Sequence, residues 1–164
     1  MLGQSNPGGA ESLQRVGHCL DAFRTDRCKL FGRESETDRL FQLLGSRRSQ
    51  GVALVGQASV GKTAILKEVV RRRSFERKSN RRHCEQVWLI SPSRVISGMS
   101  YLGQWEERWL SILKEAYRRD HVLYFDDPIS LYTAGVTRDS QLCMADVLKS
   151  FVAEQPIRIV FEMT

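Results

Sequence analysis

The sequence predicts an α/β fold, a parallel sheet with helices on both faces, and three observations carry that prediction. Short apolar runs alternate with segments of helical periodicity along most of the chain. A glycine-rich loop stands between the first such run and the helix that follows it. The length of 164 residues, with 41% hydrophobic and 27% charged residues, suits one folded domain and excludes a collagen, a disordered tail or a disulfide miniprotein.

Residues 1 to about 12 are rich in Gly, Ser, Asn and Pro and read as a leader or linker, so the chain divides into a flexible leader over residues 1–20 and a domain over residues 21–164. From Ser35 the string Ser-Glu-Thr-Asp resembles a capping box with Asp38 as its acid. Leu40, Phe41, Leu43 and Leu44 follow on one helical face, and Gly45 ends it. Gly51 to Gly56 is a buried strand by composition. Residues 62–73 continue as a helix that turns Ile65, Leu66, Val69 and Val70 inward.

A basic loop is expected next, then the strand Val87 to Ile90, broken by Ser91-Pro92-Ser93 and a polar stretch up to Gly103. Trp105, Trp109, Ile112, Leu113 and Ala116 form one stripe of a helix closed by Arg118, Arg119 and Asp120, with both tryptophans expected in the core. The strand Val122 to Phe125, a loop through Gly135, a helix from Ser140 to Glu154 and the strand Ile157 to Phe161 complete the pattern.

Composition also narrows function. No run of 18 apolar residues occurs and the first 20 residues lack a secretory apolar stretch, so a cytoplasmic address without membrane contact is expected. The four cysteines, Cys19, Cys28, Cys84 and Cys143, are scattered without a C-x-x-C pair, and neither a disulfide framework nor a zinc site is expected. The net charge of +6 resides between Arg71 and Arg82, where seven basic residues face one acid, Glu76. Such a run can be a footprint for nucleic-acid phosphates, but with Phe75 as its one aromatic it reads as a solvated loop, and nucleic acid is not the expected partner.

Gly56-Gln57-Ala58-Ser59-Val60-Gly61-Lys62-Thr63, followed by Ala64, satisfies G-x-x-x-x-G-K-[ST] directly after a strand and at the start of a helix. Its glycines let successive N–H groups face an anion, the helix terminus adds partial positive charge, and Lys62 can reach the β and γ phosphates of ATP. Thr63 would place its hydroxyl on Mg2+. A triphosphatase also needs a carboxylate at the end of a neighbouring strand, and Asp126, after four apolar residues, stands there as the second magnesium residue. Asp127 follows at the place of the residue that polarises the attacking water. It is one methylene shorter than the glutamate many such enzymes carry, and slow hydrolysis is expected.

The order of motifs resembles the Clp-type AAA+ protein unfoldases, specifically the first nucleotide-binding domain of the double-ring members, over most of residues 28–164. Leu30-Phe31-Gly32-Arg33-Glu34 is similar to the segment beside the adenine, which implies that Phe31 and Gly32 contact the nucleotide. Val52 to Leu66 is similar to the phosphate-loop block, with Ser59 in place of a family glycine. Ser97 to Arg108 resembles the pore-loop string A-G-x-K-Y-R-G-E-F-E-E-R, with Ser100 for the lysine, and implies that Tyr101 contacts a polypeptide substrate. Ala134-Gly135, Leu148-Lys149 and Phe161-Glu162-Met163-Thr164 are similar to G-A-G, L-K-P and G-A-T-T, which puts Thr164 at the position that orients the hydrolytic water.

The resemblance implies a three-layer α/β/α P-loop fold with strand order 1-4-3-2, self-association into a hexameric ring, and unfolded or assembled protein as substrate. It also implies a fifth strand, an arginine finger and a helical lid after the last strand, so residues 21–164 are expected to be an incomplete domain with the phosphate-loop strand at an open edge. The expected function is ATP hydrolysis coupled to polypeptide remodelling. Two alternatives stand beside it: an ATP-binding module with little turnover that sets a conformation or assembly, and a nucleic-acid-handling AAA+ ATPase using the Arg71 to Arg82 cluster.

Overall fold

One five-stranded sheet organises the computed structural model, which describes residues 13–22, 30–46, 51–79, 85–99, 103–138 and 140–164. The strands are β1 (Gly17–Cys19), β2 (Gly51–Val55), β3 (Val87–Ile90), β4 (Val122–Phe125) and β5 (Arg158–Met163), in the order β1-β3-β4-β5-β2. All pairs from β3 to β2 are parallel, with Val52 opposite Val160 and Leu123 opposite Ile159. Counted from the phosphate-loop strand, this is the expected 1-4-3-2 order with one antiparallel strand added at the far edge.

The helices are α1 (Glu34–Gly45), α2 (Lys62–Ser79), α3 (Pro92–Ile96), α4 (Gln104–Arg118), α5 (Ser130–Thr133) and α6 (Met144–Glu154). Period-two alternation divides the core between the two sheet faces. Tyr124, Val122 and Val160 pack with Leu40 and Leu44 of α1 and Leu66, Val69 and Val70 of α2. Leu123, Phe125 and Ile159 pack with Trp109, Ile112 and Leu113 of α4 and Leu148 and Phe151 of α6. Both tryptophans are core residues, and Trp109 Nε1 donates to the carbonyl of Met144 at 3.2 Å. Gly135 must be glycine, since its φ is 95° and a Cβ there would meet the Trp105 ring at 2.7 Å.

The N-terminal boundary needs correction. Residues drawn into the leader up to 20 join the fold: residues 13–16 form a helical turn and β1 pairs with β3, Gly17 opposite Ile90 and Cys19 opposite Trp88. The polar composition that marked the leader ends near residue 12, and Leu13, Val16 and Leu20 behind it are buried. Gly17 permits the contact, because a Cβ would lie 2.9 Å from the Ile90 side chain.

Other boundaries move for local reasons. The capping box at Ser35 does not form; Ser35 bonds Glu36, Asp38 pairs with Arg72, and the Gly32 N–H donates instead to Glu34 at 3.1 Å. Helix α2 runs to Ser79 through the expected basic loop, because Glu68 pairs with Arg71 and Arg72 at i+3 and i+4 along a stretch of good helix formers. Helix α6 starts four residues after Ser140, where Cys143 and Asp146 form a reciprocal cap. Two short helices, α3 and α5, occupy segments expected as loops.

Candidate nucleotide-binding site

Strand β2 ends at Val55, and residues 56–61 turn back over the sheet's C-terminal end into α2. The Gly56 N–H donates to the Met163 carbonyl at 3.2 Å, tying the loop's start to β5. Gly61 has φ 96°, which glycine adopts without cost. Ser59 has φ 63°, a left-handed backbone that an L residue adopts at a cost of about 1–2 kcal/mol, at a position where the resemblance places glycine. Ser59→Gly is therefore expected to raise the thermal midpoint by about 2 °C, part of the relief being lost to chain entropy. Scanning calorimetry reads this, and an unchanged or lower midpoint would show that the loop is not strained there.

Lys62 opens α2 with its side chain folded back over the loop. The residue is 7% exposed, and its Nζ donates to the carbonyls of Gly56 and Gln57 at 2.8 Å each. The first amides of any helix lack partners within it, so the residues that open α2 present donors and a positive dipole end on the same side as this ammonium. Gln57, Ala58, Ser59 and Val60 are exposed along the turn, and Ala64 is half-buried inside the first helical turn.

Asp126 and Asp127 directly follow β4 and are exposed. Phe125 lies opposite Phe161, so Asp126 is level with Glu162, and alternation gives Asp126 the sheet face of Tyr124, which is the α2 face. Asp127 starts the turn into α5, where Ser130 Oγ donates to its carbonyl at 2.6 Å. Thr164 follows the end of β5 and is exposed.

Between Thr63 and β4 sits Glu162. Thr63 Oγ1 donates to its two carboxylate oxygens at 3.1 and 2.9 Å, and the Tyr124 hydroxyl donates to Oε2 at 2.5 Å. Burial, reinforced by the hydrogen bond to Glu162, pushes the Tyr124 hydroxyl well above its ordinary pKa, so it stays a donor. Sequence alone gives Glu162 only a place in the Phe161-Glu162-Met163-Thr164 string and Tyr124 only a place in a strand. A carboxylate two residues after Val160, and so on its face, is the signal the sequence offers.

Phe31 is 81% exposed and Gly32 has φ 74°, ahead of α1. A cleft of about 450 Å3 opens beside the loop, lined by Arg33, Leu40, Val52, Val60, Lys62 and Ile65 among others. A larger apolar groove of about 730 Å3 lies between α5, α6 and β5 and includes no residue of the phosphate loop, so its size does not make it the site. Tyr101 and Ser100 fall outside the described residues. In the basic run, Arg71 and Arg72 bind Glu68, Arg72 reaches Asp38 at 2.6 Å, and Arg73 is buried against Glu85.

A glycine loop with a lysine and a threonine between a parallel strand and a helix, with an acid at the end of a strand two places along, defines a P-loop nucleotide-binding protein of α/β type. The family model for the AAA ATPase domain matches residues 29–115, more than half of the chain, and the chain belongs to that family. Its curated relatives are Clp proteins. The chaperone protein ClpB of Aquifex aeolicus (strain VF5) is 27% identical over 131 residues, covering 80% of this chain and 13% of that one. The chloroplastic ATP-dependent Clp protease ATP-binding subunit ClpA homolog CD4B of Solanum lycopersicum is 25% identical over 175 residues, covering 98% of this chain and 19% of that one. The chain thus spans less than a fifth of these relatives. Among solved structures, the S. cerevisiae Hsp104:casein complex in its extended conformation matches with a TM-score of 0.72 at 21% identity, over 93% of this chain and 26% of that one, a likeness of fold. Among the described residues no helix is long and apolar enough to cross a membrane.

Proposed function

We propose that this chain belongs to a Clp-type AAA+ nucleotide-binding domain that takes up ATP with magnesium and hydrolyses it to remodel polypeptides. The observation that carries the reading is the convergence of buried Lys62, Thr63 and the start of α2 at one end of the sheet, with Asp126 on the same face. A Cβ at Gly56 would meet the Val60 side chain at 3.2 Å, so the loop leaves little room for a side chain at its first glycine. A hydroxyl and a carboxylate are hard oxygen donors and fit Mg2+.

In this reading the amides from Gly56 to Thr63 and the Lys62 ammonium bind and orient the β and γ phosphates, and Ala64 packs behind them. Phe31 and Gly32 border the base at the cleft beside β2. Thr63 and Asp126 hold the cation. Magnesium, when bound, supplies charge neutralisation at the phosphate oxygens. Asp127 draws a proton from the attacking water and Thr164 orients that water. Tyr101 grips the polypeptide at the axis of a hexameric ring, and the cytoplasm is the compartment of this work. The relatives' names and the casein complex of Hsp104 support the remodelling assignment.

A second reading, an ATP-binding switch with little turnover, draws on the short side chain of Asp127. Phosphate release by the full chain separates the two. Asp127→Glu is expected to raise turnover about tenfold or more, since about 1 Å of misplacement can cost a hundredfold. If both forms bind ATP and neither releases phosphate, the switch reading holds and the unfoldase reading falls. The ion pairs of Arg71, Arg72 and Arg73 with Glu68, Asp38 and Glu85 count against a nucleic-acid footprint there.

A further inference from the structure

Glu162 is a carboxylate in a place where the resembling family carries a small residue, and the fold aims it at the hydroxyl of the phosphate loop. Strand β5 lies between β2 and β4, so its end runs beside both the phosphate loop and the end of β4. Leu54 is opposite Glu162 in β2, and Thr63 lies above it at the first turn of α2. Both carboxylate oxygens accept from Thr63 Oγ1, and the Tyr124 hydroxyl, itself held in the core, fixes Oε2. The Lys62 ammonium meanwhile donates to the carbonyls of Gly56 and Gln57.

Two consequences follow from charge alone. A nucleotide triphosphate arriving without a cation brings several negative charges toward a carboxylate a few ångströms from the loop's threonine, in a partly desolvated setting where repulsion is weakly screened. A divalent cation reverses the sign of that interaction, and the Thr63 oxygen can offer it a lone pair while its proton stays on the carboxylate.

We propose that Glu162, held by Tyr124 and aimed at Thr63, makes nucleotide capture conditional on a divalent cation: without the cation its charge repels the phosphates, and with the cation its charge attracts the metal beside the Thr63 hydroxyl. The proposal rests on the nucleotide reading above and deepens it, by assigning cation dependence to a residue outside the loop and outside the acidic pair.

The test is a binding titration of the full chain with a fluorescent ATP analogue, in EDTA and again in magnesium, and the readout is the ratio of the two dissociation constants. Glu162→Gln keeps shape and removes charge, and is expected to tighten metal-free binding and lower the ratio about tenfold or more, because one charge at this range is worth at least that factor. Glu162→Ala, the small residue the resemblance places there, is expected to do the same, and serves if the glutamine variant does not fold. Tyr124→Phe keeps the charge and loosens its hold, so the ratio should fall by less than about threefold. A ratio unchanged within about twofold in both Glu162 variants, while binding still requires Lys62, overturns the proposal and leaves the nucleotide reading intact. Absence of Lys62-dependent binding in the unaltered chain overturns both.

Discussion

Replacing Lys62 with alanine is expected to weaken magnesium-ATP binding by about a hundredfold or more, with little change in the fold. The side chain would give the phosphates charge-assisted hydrogen bonds worth about 1.5–3 kcal/mol each, and two of them amount to two decades or more in affinity. Lys62 is also a structural donor, bonding the carbonyls of Gly56 and Gln57 at 2.8 Å, so some loss of loop order accompanies the substitution. These acceptors lie on a turn whose neighbouring residues are exposed, and water can replace the ammonium there. Thermal unfolding without nucleotide should therefore move by no more than a few degrees. Isothermal calorimetry on both forms decides the matter: equal affinities would mean that the loop is not a phosphate site, whatever its sequence.

Much of this site was legible because its parts are local. The phosphate loop is eight consecutive residues whose meaning depends on a strand before and a helix after, and both are visible as periodicity in Val52 to Val55 and in Ile65 to Val70. The sheet order followed from the same alternation of strand and helix once the resemblance was in hand. What was hidden depends on partners distant in sequence. The arginines after Val70 read as a solvated loop until Asp38 and Glu85 are brought beside them, one from α1 and one from the approach to β3. Residues 13–20 read as leader because three apolar positions say nothing until β3 offers an edge to pair with. Glu162 lies 99 residues from Thr63, and no spacing rule connects them.

The opposite end of the sheet carries the second large expectation. Glu85→Ala should lower the thermal midpoint by roughly 6–12 °C while leaving nucleotide affinity nearly unchanged. Arg158 opens β5 and is 5% exposed; it donates to Glu85 Oε2 at 2.6 Å, to the Leu44 carbonyl at 2.7 Å and to the Asp120 carbonyl at 2.5 Å. Arg73 of α2 pairs with the other oxygen of Glu85. Glu85 thus joins two buried guanidinium groups, with Asp120 Oδ1 also 2.9 Å from Arg158, in a cluster that ties α1, α2, β5 and the turn before β4 together. Removing Glu85 takes a charge-assisted partner from each guanidinium, at about 1.5–3 kcal/mol apiece and so about 3 kcal/mol or more, and at this chain length each kcal/mol is worth about 2–4 °C. The pH dependence carries the same signature. Burial alone would raise the Glu85 pKa, but Arg158 and Arg73 outweigh burial and hold it below the ordinary value. The folded state therefore binds that proton less readily than the unfolded chain. The stability it contributes is complete above the usual glutamate range, near pH ~4.3, and is lost as pH falls through the lowered folded value. The gap between the midpoints of the two forms should accordingly be wide at pH 7 and narrow in acid. A gap that stays constant from neutral pH to pH ~3 would mean that the loss comes from packing and not from the charge.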